Sequence, residues 1–233
     1  MDVKTLYTNH FDEAKRLNRT NASKVEFLTT LHVLDDYLEK GMNILEVGAG
    51  TGAYSLELAR RGYSVTALEL VPRNLATLKE AITPNMNIDP VLGDALDLSA
   101  FNDECFDIVL NLGPLYHLPE EEDRVRAIRE SMRVLKPGGV AFFAYINNDM
   151  VFVTEALMYT PEFLNGDPEK YYDPATFKVV DKPFTVLRVE YVRKLMAKLG
   201  LPMVRHVATD GYAELLEKQI NTLDEDCFKE WFR

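Results

Sequence analysis

The stretch Ile44-Leu45-Glu46-Val47-Gly48-Ala49-Gly50-Thr51-Gly52 decides the fold. Its first four residues are short and apolar, bounded by a glycine-rich turn, and have the make-up of a buried strand. Three glycines then permit a tight turn whose backbone can approach a ligand without a Cβ in the way. Behind the turn, Leu56 and Ala59 mark a helix that ends near Gly62. Strand, glycine turn and helix in that order open a nucleotide-binding unit of an α/β sheet.

The same alternation continues on both sides. Upstream, Ser23-Lys24-Val25-Glu26 has capping-box spacing, and Val25, Leu28, Leu31, Leu34 and Leu38 recur at helical intervals until Gly41. Downstream, Tyr63 to Leu68 reads as a second strand, and Pro72 suits the first turn of a helix with Leu75, Leu78 and Ile82 on its apolar face. Ile88 to Leu92 and Phe106 to Leu112 are the next strands. Pro119 and the acids Glu120 to Asp123 then start a helix whose buried face is Val125, Ile128, Met132 and Leu135. The apolar run Val140 to Ile146 has the character of a central parallel strand covered on both faces. From Asp149 to Pro183 the period dissolves into aromatics and prolines, among them Tyr159, Phe163, Tyr171, Tyr172 and Phe177, which predicts an insertion or lid. A helix over Val189 to Leu199 closed by Gly200 and a last strand at Met203 to Ala208 restore the pattern. Leu215, Leu216, Ile220 and Leu223 give a terminal helix that reaches Trp231-Phe232-Arg233 without a cap signal, as a chain cut short there would.

Composition narrows the chemistry. The 233 residues carry 26 Lys and Arg against 37 Asp and Glu, a net charge of −11, which repels a phosphate backbone and disfavours nucleic acid as a partner. Cys105 and Cys227 lie far apart with no CxxC spacing, and His10, His32, His117 and His206 have no metal-ligand spacing, so no metal is expected. No signal peptide or membrane-spanning run is visible, so the chain is expected to be cytoplasmic and to have no membrane association.

The glycine turn alone is ambiguous, because Gly48, Gly50 and Ala53 also satisfy a dinucleotide fingerprint. Glu69 ends the second strand, where a carboxylate can accept both hydroxyls of a ribose. Gly93-Asp94-Ala95 follows the third strand, where an aspartate can accept from an adenine amino group. Leu135-Lys136-Pro137-Gly138-Gly139 is a tight link into the fifth strand, and Asn111-Leu112-Gly113-Pro114-Leu115-Tyr116-His117 lies on the carboxyl lip of the fourth. Through Glu46 to Gly52, Glu69, Asp94-Ala95 and Leu135 to Gly139 in order, the sequence resembles the class I S-adenosylmethionine-dependent methyltransferases of the small-molecule type.

That resemblance implies a doubly wound, mostly parallel, seven-stranded sheet with a final antiparallel strand, an N-terminal helical segment and an inserted lid. As one domain it divides into an N-terminal cap (1–41), a cofactor-binding core (42–147), a lid (148–183) and a C-terminal helix, strand and helix (184–233). S-adenosylmethionine is the implied cofactor and S-adenosylhomocysteine its product. By the resemblance, Gly48, Ala49, Gly50 and Gly52 border the methionine portion, which Glu46 orients. Glu69 holds the ribose and Asp94 with Ala95 the adenine, and Leu70, Asn111, Leu112 and Gly113 are further cofactor-binding candidates. Tyr7, Phe11, Arg16 and Arg19 precede the capped helix, in a segment that closes the cofactor in many such enzymes, and Arg16 or Arg19 can meet its carboxylate.

Methyl transfer needs walls more than acids. His117 has an ordinary pKa near neutrality and is the candidate base, and Tyr116 the candidate neighbour of the sulfonium. The plain alternatives are a histidine that packs the loop before Pro119 and a tyrosine that fills the lip. The aromatic insertion from Phe152 to Phe184 is the candidate acceptor site, or else a packing subdomain. No Asn-Pro-Pro-Tyr or Asp-Pro-Pro-Tyr follows the fourth strand, which disfavours the amino-directed nucleic-acid and glutamine enzymes. The expectation is therefore methyl transfer to an oxygen, nitrogen or carbon of a small molecule by a monomer or homodimer. An NAD(P)-dependent oxidoreductase and a non-catalytic binding module are the alternatives.

Overall fold

Alternation along β1 (Asn43–Val47) sends Ile44 to one face and Leu45 and Val47 to the other, and all three are fully buried, as a strand covered by helices on both sides requires. The structure is a computed structural model that describes Thr5, Tyr7, Glu13, residues 16–181 and residues 183–233. Phe11 and His10 lie outside the described residues.

Helix α1 (Asn21–Asp35) precedes β1, and α2 (Ala53–Arg60), β2 (Ser64–Glu69), α3 (Pro72–Ala81), β3 (Ile88–Leu92) and β4 (Phe106–Asn111) follow. After them come α4 (Glu121–Val134) and β5 (Leu135–Phe143). The sheet runs β3-β2-β1-β4-β5, and every pairing in it is parallel. One face packs Leu31 and Leu34 of α1 and Leu58 of α2 against Ile44, Ile108 and Leu110. The opposite face packs Ala127 and Ile128 of α4, with Val192, Leu195 and Met196 of the later helix α6 (Val189–Lys198), against Leu45, Val47 and Val109.

Several expectations need correction. The sheet has five strands, not seven. Residues 203–208 make no strand, and Met203, Val204 and Val207 are exposed there, so an apolar composition without a ladder partner leaves the segment unpaired. For the same reason β5 is an outer strand and not a central one: it pairs with β4 alone, and Val140 to Phe143 are only half-buried. Pairing with β4 stops at Phe143, and β6 (Ile146–Asn147) pairs instead with β9 (Val186–Leu187). The capping box of α1 is one turn earlier than the spacing suggests. Thr20 accepts from the Ser23 N–H and Ser23 Oγ accepts from the Thr20 N–H, while Glu26 turns to Arg16. Leu135 begins β5 and does not end α4. The terminal helix is two helices, α7 (Glu217–Ile220) and α8 (Glu225–Phe232), because Asp224 caps the second through the Cys227 N–H. Ile220 and Phe228 bury against Ala22 and Val25 of α1.

The aromatic-rich stretch after β6 contains α5 (Asn148–Thr154), which widens into a π-helical turn over Glu155–Tyr159, and the hairpin β7 (Tyr172–Asp173) and β8 (Lys178–Val179). Its aromatics pack mainly on one another. Phe152 meets Phe163, Tyr172 and Phe177 edge-on, and Phe163 stacks on Tyr172 at 5.0 Å and is 1% exposed.

At Gly52, φ is +86°, and a Cβ would stand 2.2 Å from Leu78 Cδ1 of α3, so this glycine serves helix packing. Gly52→Ala combines left-handed strain with an overlap inside the core, and should lower stability by about 2–4 kcal/mol in urea denaturation; a loss within experimental error would refute the packing role.

Candidate functional site

The strand order puts β1 between β2 and β4, so its carboxyl end lies at the point where an open parallel sheet leaves a crevice. The turn after β1 is held there by hydrogen bonds from its own backbone. The N–H groups of Gly48 and Ala49 both donate to the Leu68 carbonyl, at 2.8 and 3.0 Å, and the N–H of Gly50 donates to Glu69 Oε2 at 2.7 Å. Glu69 Oε1 accepts from the Val71 N–H at 2.8 Å and from Asn74 Nδ2 at 3.4 Å. Glu69 is 4% exposed, and burial raises its pKa against these donors. Leu70 is half-buried beside it.

Glu46 is 3% exposed, and burial pushes its pKa up to about 7, although the Ser55 hydroxyl donates to Oε2 and thereby favours the carboxylate. Ser55 is on the first turn of α2, directly behind the glycine turn. Asp94 closes a tight turn by accepting from the Leu96 N–H at 3.0 Å, next to the buried Ala95. Asn111 ends β4 on the α4 face: its amide donates to Ser131 Oγ at 3.2 Å, and its buried Oδ1 accepts nothing among the described residues. Leu112 and Gly113 are half-buried on the way to the lip.

The lip is a 3-10 turn over Pro114–His117. Pro114 lies within 3.0 Å of the place a Cβ would take on Gly48, and the Tyr116 hydroxyl 3.6 Å from that place on Gly113, so the lip borders the glycine turn. Tyr116, His117 and Phe184 form a ring cluster with centroids 4.8 to 5.9 Å apart. Tyr7 adds a fourth ring at 5.3 Å from His117, and its hydroxyl is 3.0 Å from His117 Nε2. The Thr185 N–H bonds the Tyr116 carbonyl at 2.8 Å and ties the end of the insertion to the lip. Burial holds the His117 imidazole down to about 4, and burial pushes the Tyr116 phenol up to about 12 and the Tyr7 phenol higher. The histidine is thus neutral at neutral pH, and both phenols keep their protons.

Arg16 pairs with Glu13 and with Glu26, each at 2.8 Å. Arg19 is exposed. Of the insertion's aromatics only Phe184 joins the lip; Phe152, Phe163, Tyr171, Tyr172 and Phe177 belong to the insertion's own cluster. Glu13, Ser55 and Asn74 were not legible from sequence. Ser55 carries a weak signal as a small hydroxyl in the first turn of a helix that follows a glycine turn. Glu13 carries none, since it follows Asp12 in a stretch without period. Among the described residues there is no group of His, Cys, Asp and Glu that could hold a metal, and no helix long and apolar enough to cross a membrane.

Residues 45–143 match the family model of a methyltransferase domain. The chain is 29% identical over 142 residues to 2-methyl-6-phytyl-1,4-hydroquinone methyltransferase of Synechocystis, covering 60% of this chain and 43% of the relative. It is 31% identical over 134 residues to ubiquinone biosynthesis O-methyltransferase of Xanthomonas euvesicatoria, covering 57% of this chain and 53% of the relative. The matches thus span about half the length of these curated relatives. Among solved structures, an S-adenosylmethionine-dependent methyltransferase from Methanosarcina mazei superposes with a TM-score of 0.55 at 25% identity, covering 71% of this chain and 82% of that one. These likenesses remove the dinucleotide ambiguity of the glycine turn, since the matched segment holds the turn, Glu69, Asp94 and the lip together. Residues 45–143 thus form a methyltransferase domain, and the chain around them is similar to S-adenosylmethionine-dependent methyltransferases.

Proposed function

We propose that the protein transfers a methyl group from S-adenosylmethionine to an oxygen, nitrogen or carbon of a small molecule. The observation that carries this reading is the juxtaposition of a carboxylate-lined glycine turn with a lip of aromatic rings around a neutral histidine. The residues present suit such a cofactor. Glu13, Glu46 and Glu69 line the turn with carboxyl groups that can accept from an ammonium and face a sulfonium, and Gly50 presents no side chain there.

In this reading the backbone of Gly48 to Gly52 and Glu46 border the methionine portion and Arg16 meets its carboxylate. Glu69, which keeps lone-pair capacity beyond its three donors, and Leu70 face the ribose. Asp94 and Ala95 face the adenine, and Asn111 to Gly113 form the floor. When bound, the cofactor supplies an electrophilic methyl group on a sulfonium whose charge is lost on transfer. The protein's part is to align the acceptor and keep water out, for which Tyr7, Tyr116 and Phe184 are the walls. His117 presents Nε2 to the lip, with the Tyr7 hydroxyl as its present partner. An acceptor O–H or N–H that replaces this phenol at Nε2 hands its proton to the ring. A flat acceptor bearing a ring hydroxyl fits these walls, and the names of the hydroquinone and ubiquinone relatives support oxygen among the three atoms.

Calorimetric titration should give micromolar binding of S-adenosylhomocysteine and none of NADH; the reverse would overturn the reading. Steady loss of S-adenosylmethionine with an acceptor panel tells the enzyme from a silent binding module. Gly50→Val places a branched side chain at φ +59°, where a Cβ would already lie 3.1 Å from Glu13 Cγ, and should abolish S-adenosylhomocysteine binding in a protein with unaltered circular dichroism. Asp94→Ala should weaken it about tenfold. Undiminished binding in both variants would remove the site assignment.

The pH dependence follows from Glu46. Its pKa is held near 7 by burial, and the ammonium of a ligand's methionine portion favours the carboxylate, so below that pH a proton must leave on binding. Affinity for S-adenosylhomocysteine should therefore rise between pH 6 and 8, by at most about tenfold per unit, with protons released to the buffer; affinity that is flat or falls over that range contradicts it. His117→Ala tests the base: kcat should drop about a hundredfold while S-adenosylhomocysteine affinity holds, and equal turnover would leave His117 a packing residue.

A further inference from the structure

Glu13 is one of the few described residues of the N-terminal segment, and its surroundings are those of a ligand-binding group. Its side chain lies over the glycine turn, with Cγ 3.1 Å and Oε1 3.7 Å from where a Cβ would stand on Gly50. Oε1 accepts from Arg16 Nε at 2.8 Å. Oε2 is buried and accepts no hydrogen bond among the described residues. A buried carboxylate oxygen left without a donor is costly, and it persists where something else supplies the donor. The side chain is only 14% exposed, so bulk water is a poor substitute. The charge of Glu13 also acts on Glu46, Glu69, Tyr7 and Tyr116, in each case against loss of a proton.

A carboxylate paired with a guanidinium, next to a turn bordering the methionine portion, is the complement of a zwitterion. We infer that Glu13 is a cofactor ligand whose Oε2 accepts from the α-ammonium of the methionine portion while Arg16 meets the α-carboxylate. The inference rests on the cofactor reading above and adds a residue to it. Ligand binding then exchanges one internal ion pair for two with the ligand, and Arg16 keeps its place because Nη1 remains bonded to Glu26 at 2.8 Å. The opposite role is also chemically defined. If the Glu13 carboxylate merely occupied the position of the ligand's carboxylate, it would compete with the ligand for Arg16, and removing its charge would tighten binding.

The test compares two probes by calorimetry on the wild type and Glu13→Gln: S-adenosylhomocysteine, and 5′-methylthioadenosine, which keeps the nucleoside and sulfur but lacks the amino-acid end. Glu13→Gln keeps the shape and removes the charge. The expected result is a loss of about tenfold or more for S-adenosylhomocysteine with methylthioadenosine unchanged. Affinity for S-adenosylhomocysteine that is unchanged or tighter overturns the assignment, and so does an equal loss for both probes, which would mark a structural role. Binding of neither probe to the wild type overturns the cofactor reading and this residue's role with it. Glu13→Ala, checked for an unaltered melting temperature without ligand, should show the same selectivity for the amino-acid end.

Discussion

The carboxylate of Glu69 is the joint on which the site depends. It is nearly inaccessible, so its charge would be prohibitively costly in isolation, yet it receives the N–H of Gly50, the N–H of Val71 and the amide of Asn74. Those donors belong to three different pieces of chain: the turn after β1, the entry to α3, and α3 itself. One side chain thus fixes how far the glycine turn stands from the end of β2. The two N–H groups that converge on the Leu68 carbonyl secure the same spacing through backbone alone. Because the turn is immobilised by groups that are themselves buried, the crevice is shaped before any ligand arrives, which limits the conformational entropy that binding has to overcome.

Much of this was legible in the sequence wherever the signal is local. The strand from Ile44 to Val47 and its glycine turn need only a change of period, and Pro72 marks the start of α3 because its ring presets the backbone angle. What failed depended on partners distant in the chain. Val140 to Phe143 has the composition of a central strand, but centrality depends on what lies beyond it, and residues 203–208 make no ladder there. The capping box shifted by one turn because Thr20 and Ser23 satisfy each other while Glu26 is drawn to Arg16. At the site, the glycines, Glu69 and Asp94 stood out by their position at strand ends. Glu13 and Phe184 become visible only when the fold brings them to the turn and the lip.

The insertion shows how an aromatic-rich stretch divides its residues. Five rings satisfy one another in a small core, with Phe163 at its centre, and Phe184 alone is left to face His117. The lip therefore rests on a platform stiffened by packing, and the Thr185 to Tyr116 backbone bond transmits that stiffness to the histidine's neighbour. The histidine's neutrality has the same origin: it follows from partial burial among these rings, which weakens the solvation of an imidazolium.

The contact between Tyr7 and His117 joins residues separated by 110 positions. The surface that receives Tyr7 exists only after β4 and its lip have been made and paired. Closing so long a loop is unfavourable until the sheet has paid most of the entropy of bringing those parts together. The wall that Tyr7 adds to the crevice therefore forms only on a sheet that has already paired β4.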